Sequence, residues 1–257
     1  MTNYNKINVA HSYEGQILSI ILDSPKGNVL DGEMMSEILS VLQNEATDKN
    51  VKALIFKAEG KHFSFGASVP EHTKDKVGEM LTAFHAIFKE MVKLCKPTFS
   101  VVQGQCLGGG MELAIFSNWI FASSDAKFGQ PEVNLGVFPP IASVILPYLI
   151  GLAKSDDLIL SGRTITAQEA LEMHLVHSVS ENPETKLKDF IETHILPKSA
   201  VALHFSVKSA RYDYYHHFNK NINSLEKMYI EELMETKDAN EGINSFLERR
   251  KPNWTNE

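Results

Sequence analysis

The sequence predicts an α/β fold followed by a helical C-terminal region. In the N-terminal half, short apolar runs alternate with segments whose apolar residues recur every three or four positions. Such alternation of strand and helix is typical of right-handed crossovers and a mostly parallel sheet. From about residue 187 onward, the segments have the pattern of helices. We therefore expect a core of residues 1–186 and a helical region of residues 187–257.

The individual strands and helices are predicted from these two patterns of apolar residues. Strands are predicted where a short apolar run is bounded by turn residues, at residues 16–22, 53–56, 98–102 and 119–122. Helices are predicted where one apolar stripe recurs at helical spacing, at residues 35–42, 77–91, 200–210, 225–235 and 240–249. The helix at 77–91 must end before Pro97, because the residue that precedes a proline disfavours helical geometry.

Composition excludes several classes of protein. The 257 residues carry a formal net charge of −7, which argues against a nucleic-acid-binding surface. No apolar run reaches the roughly 18 residues that a membrane helix needs. The first residues lack the apolar segment of a secretion signal, so we expect a cytoplasmic protein. Two cysteines argue against a disulfide framework.

The most informative motif is a run of three glycines, Gly108 to Gly110, between a strand and a helix-forming segment. Glycines at such a junction let backbone N–H groups approach a ligand closely. The run is not a phosphate-binding loop, because no Gly-Lys-Ser/Thr follows it, and Leu113 stands where a dinucleotide fingerprint needs its third glycine. The alternative interpretation is a tight turn in which the glycines serve packing alone.

Two glutamates near this run are candidates for proton transfer. Glu112 interrupts the apolar run of residues 111–116, so burial should raise the pKa of its carboxyl into a useful range. Glu132 follows Pro131 in a predicted loop, where the alternative is a solvated carboxylate. A third segment, residues 62–69, places small residues after aromatic ones and is typical of a loop with exposed N–H groups.

Together these motifs resemble the crotonase superfamily, the enoyl-CoA hydratase/isomerase family, nearly from end to end. The resemblance implies a spiral of ββα turns followed by C-terminal helices that mediate trimerisation. It also implies an acyl-CoA thioester as substrate and a homotrimer, or a hexamer built as a dimer of trimers. No metal or other cofactor is expected, since coenzyme A is part of the substrate. The motifs that carry the resemblance are residues 24–30, 65–68, 96–97, 108–114, 128–132 and 238–242.

The resemblance also implies residue roles. The backbone N–H groups of Ala67 and Gly109 would form an oxyanion hole for the thioester carbonyl. Glu112 would activate a water molecule and Glu132 would move the proton to carbon, with the two carboxyls titrating as a pair. Retention of both glutamates favours water addition. The residues expected to bind coenzyme A are Lys26, Gly27, Val29, Ala67 and Val69; the alternative for Lys26 is a solvated surface lysine.

Two positions depart from the family pattern and are candidates for the substrate pocket. Ser68 stands where most hydratases have aspartate, and Pro140 stands where the common pattern has glycine. Residues 63–72 resemble hydratases that act on cyclohexa-1,5-diene-1-carbonyl-CoA in anaerobic benzoyl-CoA degradation and form 6-hydroxycyclohex-1-ene-1-carbonyl-CoA. The alternatives are a straight-chain enoyl-CoA hydratase, an enoyl-CoA isomerase, a carbon–carbon hydrolase and a non-catalytic acyl-CoA-binding scaffold.

Overall fold

A computed structural model describes residues 4–257; residues 1–3, with which the predicted core begins, lie outside the described part. Within this described part, nine strands form two sheets. In the larger sheet the order is β1-β2-β3-β4-β6-β9, with β1 antiparallel to β2 and all other neighbours parallel. The strands are β1 (Ile7–Ser12), β2 (Ile17–Leu22), β3 (Ala53–Ala58), β4 (Thr98–Val102), β5 (Gln105–Leu107), β6 (Trp119–Ser123), β7 (Lys127–Gly129), β8 (Thr164–Thr166) and β9 (Ser178–Ser180).

Ten α-helices surround the sheets in the described part of the chain. Short 3₁₀ segments lie at Val69–His72, Pro131–Leu135 and Leu233–Glu235, and a π-helical turn lies at Ile191–Ile195. The α-helices are α1 (Gly32–Asn44), α2 (Val77–Leu94), α3 (Gly109–Phe116), α4 (Pro140–Ile150), α5 (Leu152–Ser161), α6 (Ala167–Glu172), α7 (Pro183–Phe190), α8 (Ala200–Ala210), α9 (Tyr212–Glu231) and α10 (Lys237–Leu247).

The predicted α/β class is confirmed, and so are the four predicted strands to within two residues. The sequence pattern does not predict the other five strands of the described chain, because they are too exposed or too short to show an apolar run. Strand β1 exposes five of its six residues at least partly, so it shows no apolar run. Strands β5, β7, β8 and β9 have three residues each, which is too short for a periodicity.

One helix differs from its prediction. The sequence predicts a helix over residues 225–235, whereas α9 begins at Tyr212 and ends at Glu231. The earlier start follows from one buried stripe of Tyr215, Phe218 and Ile222, whose polar neighbours hide the apolar spacing. Helix α9 therefore runs 20 residues, and its Tyr229 lines the same cavity as Gly108 and Gly109. The division of the chain at residue 187 stays a prediction.

The smaller sheet positions the segments that carry the glutamates. Strand β5 leads into the glycine run and α3, and β7 leads into the 3₁₀ turn at Pro131–Leu135. The two strands are parallel neighbours, and Leu107 at the end of β5 is in register with Gly129 at the end of β7. Because parallel neighbours end at the same edge, both segments emerge side by side. Among residues 4–257, no helix is both long and apolar enough to cross a membrane.

Candidate active site

Glu112 lies in the first turn of α3 and is buried, with 3% of its surface exposed. Its Oε1 atom accepts a hydrogen bond of 2.8 Å from the Ala142 N–H in the first turn of α4. Burial raises the pKa of the carboxyl from 4.5 to about 7, while the N–H groups of Ala142 and Ile141 oppose that rise by stabilising the ionised form. Burial thus favours the protonated carboxyl of Glu112, while the two N–H groups favour its ionised form.

Glu132 lies in the 3₁₀ turn that follows β7 and shares a cavity with Glu112. The amide of the fully buried Gln130, oriented so that its nitrogen faces the carboxyl, lies 3.1 Å from Oε2 and 3.2 Å from Oε1 of Glu132. Burial is the largest cause that raises the pKa of the Glu132 carboxyl well above its usual range, and the charge of Glu112 raises it further. The interpretation of Glu132 as a solvated loop carboxylate is wrong, because this carboxyl faces the cavity.

The N–H group of Ala67 points away from the strand-like segment beside it. Leu30 donates to the carbonyl of Gly66 at 2.9 Å and accepts from the N–H of Ser68 at 3.0 Å. Because this parallel bridge pairs Leu30 with both neighbours of Ala67, the Ala67 N–H faces the opposite side, where Ala67 lines the cavity.

Gly109 begins α3 close to that N–H group. A Cβ atom on Gly109 would lie 3.2 Å from the Ala67 nitrogen, which is closer than most Cβ contacts, so the two backbones approach each other closely. Within residues 4–257, neither the Ala67 nor the Gly109 N–H has a hydrogen-bond acceptor. Two free donors therefore lie next to the cavity that also contains the glutamates.

The cavity itself is narrow, about 70 Å³ in volume, and mostly apolar. Its polar groups are the two glutamates, the N–H groups described above, Tyr229 and His72. The Nδ1 atom of His72 lies 2.8 Å from the Ser68 carbonyl, so Nδ1 carries the proton, and burial lowers the pKa of the imidazole. The remaining lining consists of Phe65, Gly66, Val69, Met80, Leu81, Phe84, Gly108, Pro131, Leu135, Val137, Phe138, Pro139 and Pro140.

The two candidate pocket residues are placed differently. Pro140 is the first residue of α4 and lines the cavity. A proline tolerates this position because the first N–H of a helix has no partner within it. Ser68 is buried but is absent from the lining, although Ala67 and Val69 on either side belong to it.

The residues predicted to bind coenzyme A come from two segments that the structure brings together. Phe65 donates from its N–H to the Gly27 carbonyl at 2.9 Å, and a Cβ atom on Gly27 would lie 1.8 Å from the Phe65 ring. Gly27 has a φ of +101°, so only glycine fits this contact. Lys26 is exposed and Val29 is half-buried; neither lines the cavity.

Sequence reasoning missed Tyr229, which projects from α9 into the cavity and is 1% exposed. It lies 97 positions after Glu132, inside a helix whose pattern predicts only packing, so no local signal marks it. In the described part of the chain, no cluster of three or more His, Cys, Asp or Glu side chains is arranged to hold a metal ion.

This chain is similar to known proteins over almost its whole length. Residues 12–257 match the family model described as enoyl-CoA hydratase/isomerase. A cyclohexa-1,5-dienecarbonyl-CoA hydratase from Thauera aromatica is 41% identical over 243 residues, covering 95% of this chain and 94% of the relative. A probable enoyl-CoA hydratase from Bacillus subtilis (strain 168) is 33% identical over 252 residues, covering 93% and 95%.

Solved structures support the fold. The crystal structure of an enoyl-CoA hydratase from Mycobacterium avium subsp. paratuberculosis K-10 superposes with a TM-score of 0.86, covering 98% of this chain and 100% of that chain. The identity is 23%, so this likeness concerns the fold alone. The fold that the resemblance implied is confirmed.

Proposed function

This chain belongs to the enoyl-CoA hydratase/isomerase family, and we propose that it adds water to cyclohexa-1,5-diene-1-carbonyl-CoA to form 6-hydroxycyclohex-1-ene-1-carbonyl-CoA. The main support for hydration is that Glu112 and Glu132 line the same narrow cavity. Water addition needs one group to remove a proton from water and another to deliver a proton to carbon. The cyclic substrate is supported by the relative from Thauera aromatica, 41% identical to this chain.

The thioester carbonyl is held by the N–H groups of Ala67 and Gly109. When hydroxide adds to the β-carbon of the ring, the electron pair of the α,β double bond moves toward the carbonyl and gives an enolate. Negative charge then develops on the thioester oxygen, where fixed donors stabilise it more than they stabilise the ground state. Removal of one such donor in a hydrolase costs about 3–4 kcal/mol of activation free energy.

The two glutamates divide the proton transfer according to their surroundings. Glu112 accepts a hydrogen bond from Ala142, which favours its ionised form, so it removes the proton from water. Burial and the neighbouring charge of Glu112 favour the protonated form of Glu132, which delivers its proton to the far end of the diene as the enolate collapses. The double bond then lies between the α-carbon and its other ring neighbour. One proton is shared by the pair, and it returns to Glu132 when the product leaves.

The remaining roles concern binding and assembly. The ring packs among apolar side chains near Pro140. Ser68 does not line the pocket and influences it through its neighbours Ala67 and Val69, which do. Coenzyme A is bound by Lys26, Gly27, Val29, Ala67 and Val69. The chain acts as a homotrimer or as a dimer of trimers, without a metal or a further cofactor.

The test compares a cyclic and a linear thioester. Purified protein is incubated with cyclohexa-1,5-diene-1-carbonyl-CoA and, separately, with crotonyl-CoA, and products are identified by chromatography and mass spectrometry. We expect addition of one water to the cyclic diene and little turnover of crotonyl-CoA. Turnover of crotonyl-CoA alone would replace the cyclic substrate by a straight-chain one, as the name of the Bacillus relative suggests. A product of unchanged mass would indicate an isomerase.

A further inference from the structure

Tyr229 is a buried polar group in the cavity for which the proposed mechanism has no use. Its side chain is 1% exposed, and its hydroxyl has no hydrogen-bond partner among residues 4–257. A buried tyrosine hydroxyl normally finds a partner, because leaving it unpaired costs about 1–3 kcal/mol. An unpaired hydroxyl on the wall of a reaction cavity therefore indicates that the ligand supplies the partner.

Tyr229 lines the same narrow cavity as Glu112 and Glu132. Burial is the largest cause that raises the pKa of its phenol, and the charges of Glu132 and then Glu112 raise it further. The phenol thus keeps its proton in a cavity that it shares with both carboxyls. The thioester oxygen has its own donors at Ala67 and Gly109, so the Tyr229 hydroxyl is available to the oxygen that reacts between the glutamates.

We propose that the Tyr229 hydroxyl donates a hydrogen bond to the oxygen that is added to the substrate, first as water and then as the hydroxyl of the product. This inference rests on the proposed hydration. When Glu112 removes a proton, that oxygen gains negative charge, and a neutral donor stabilises it without competing for the proton. The tyrosine forms no covalent bond and transfers no proton; it fixes where the oxygen stands.

The surroundings of Tyr229 restrict its position. Its ring packs against Phe138 with centroids 5.2 Å apart. One turn earlier on α9, Glu226 hydrogen-bonds to the Nδ1 atom of His85 on α2 over 2.7 Å. Because α9 is tied to α2 at this point, the hydroxyl is held in place before the substrate arrives, as positioning requires.

The test uses ligands that differ by one hydroxyl. In a Glu132→Gln background, in which we expect hydration to be at least about 100-fold slower, we would measure the dissociation constants of 6-hydroxycyclohex-1-ene-1-carbonyl-CoA and of cyclohex-1-ene-1-carbonyl-CoA, with and without Tyr229→Phe. Tyr214→Phe is the matched control, because the Tyr214 hydroxyl on α9 is also buried and has no partner in the described part of the chain, but Tyr214 does not line the cavity. The single Tyr229→Phe variant is assayed for kcat in parallel.

We expect Tyr229→Phe to weaken binding of the hydroxylated ligand about tenfold and to leave the other ligand within about twofold. We expect kcat for hydration to fall about tenfold or more, and Tyr214→Phe to change neither quantity. Equal weakening of both ligands would assign Tyr229 a purely structural role and overturn the inference. An unchanged affinity for the hydroxylated ligand would overturn it as well.

Assays of the wild type identify the substrate, and assays of Tyr229→Phe separately test the role of this tyrosine. If the wild type hydrates the cyclic diene and Tyr229→Phe matches it, only the role of Tyr229 is wrong. If the wild type hydrates crotonyl-CoA instead, the cyclic substrate is wrong, and the role of Tyr229 is tested with 3-hydroxybutyryl-CoA against butyryl-CoA under the same expectations.

Discussion

A Cβ atom on Gly108 would lie 2.7 Å from the Oε1 atom of Glu132, so the carboxyl occupies the space that a side chain at position 108 would take. Gly108 also has a φ of +51° and a ψ of −130°, a conformation that residues with a Cβ atom avoid. The absence of a side chain at position 108 thus leaves room for the carboxyl of the glutamate 24 positions later.

Gly108→Ala is expected to lower kcat/KM about 100-fold or more, since the Glu132 carboxyl must move away from the reacting carbon. Gly60→Ala is the matched control. Gly60 also has a positive φ, +82°, but a Cβ atom there meets nothing within 4 Å. Steady-state kinetics of both variants, normalised to folded protein, would check this; equal losses in the two would mean that backbone strain alone is responsible.

At Ala67 the backbone, not the side chain, is expected to matter. Ala67→Ser keeps the N–H group and should retain kcat within a few fold. Ala67→Pro removes the N–H group and should lower kcat about 100- to 1000-fold, because one oxyanion donor is lost. Circular dichroism and thermal unfolding establish that each variant folds. A folded Ala67→Pro variant with wild-type kcat would exclude this N–H group from the oxyanion hole.

Glu112→Gln is expected to stabilise the protein at alkaline pH while it reduces activity. The folded-state pKa of about 7 lies above the ordinary 4.5, so the protonated carboxyl favours folding and this stability is lost as pH rises from 4.5 through 7. The shift corresponds to about 3 kcal/mol, and glutamine imitates the protonated form. Urea unfolding should show a gain of about 1–3 kcal/mol at pH 8 and little at pH 4.5. A gain independent of pH would contradict the raised pKa.

Glu226→Ala is expected to lower the free energy of unfolding by about 1–3 kcal/mol. The substitution removes the partner of His85 Nδ1, and the Nε2 atom of this buried imidazole already has none among residues 4–257. Glu231→Ala on the same helix is the control, because Glu231 pairs with Lys227 at an exposed position and should change stability by less than about 0.5 kcal/mol. Indistinguishable urea midpoints for the two variants would mean that His85 and Glu226 do not stabilise the packing of α9 on α2.

Parts of the candidate site could be predicted from the sequence where a residue type is unusual for its local segment. Glu112 stands in an apolar run, which predicts a buried carboxyl. Three glycines stand between a strand and a helix, which predicts backbone N–H groups close to a ligand. The strands and helices of the first half follow from long, regular apolar spacing. In both cases the signal lies within about ten residues of chain.

The rest depends on contacts between distant segments. Tyr229 has the local pattern of a packing residue, and its place on the cavity depends on the packing of α9. The local pattern around Glu132 is that of a solvated loop, so only the family resemblance identified it before β5 and β7 are seen to pair. The start of α9 at Tyr212 is hidden because its buried aromatic residues are interrupted by polar ones. Placement of this kind is set by tertiary packing, which a local pattern does not encode.

We propose that Glu112 and Glu132 together add water to the ring diene of the CoA thioester. The direct measurement is the rate of ¹⁸O incorporation from labelled water into cyclohexa-1,5-diene-1-carbonyl-CoA by the wild type, Glu112→Gln and Glu132→Gln, with thioester binding measured for all three. We predict one ¹⁸O per product for the wild type and a rate at least about 100-fold lower for each variant, with binding retained. A variant that binds the thioester and incorporates ¹⁸O at the wild-type rate would contradict the two-carboxylate mechanism.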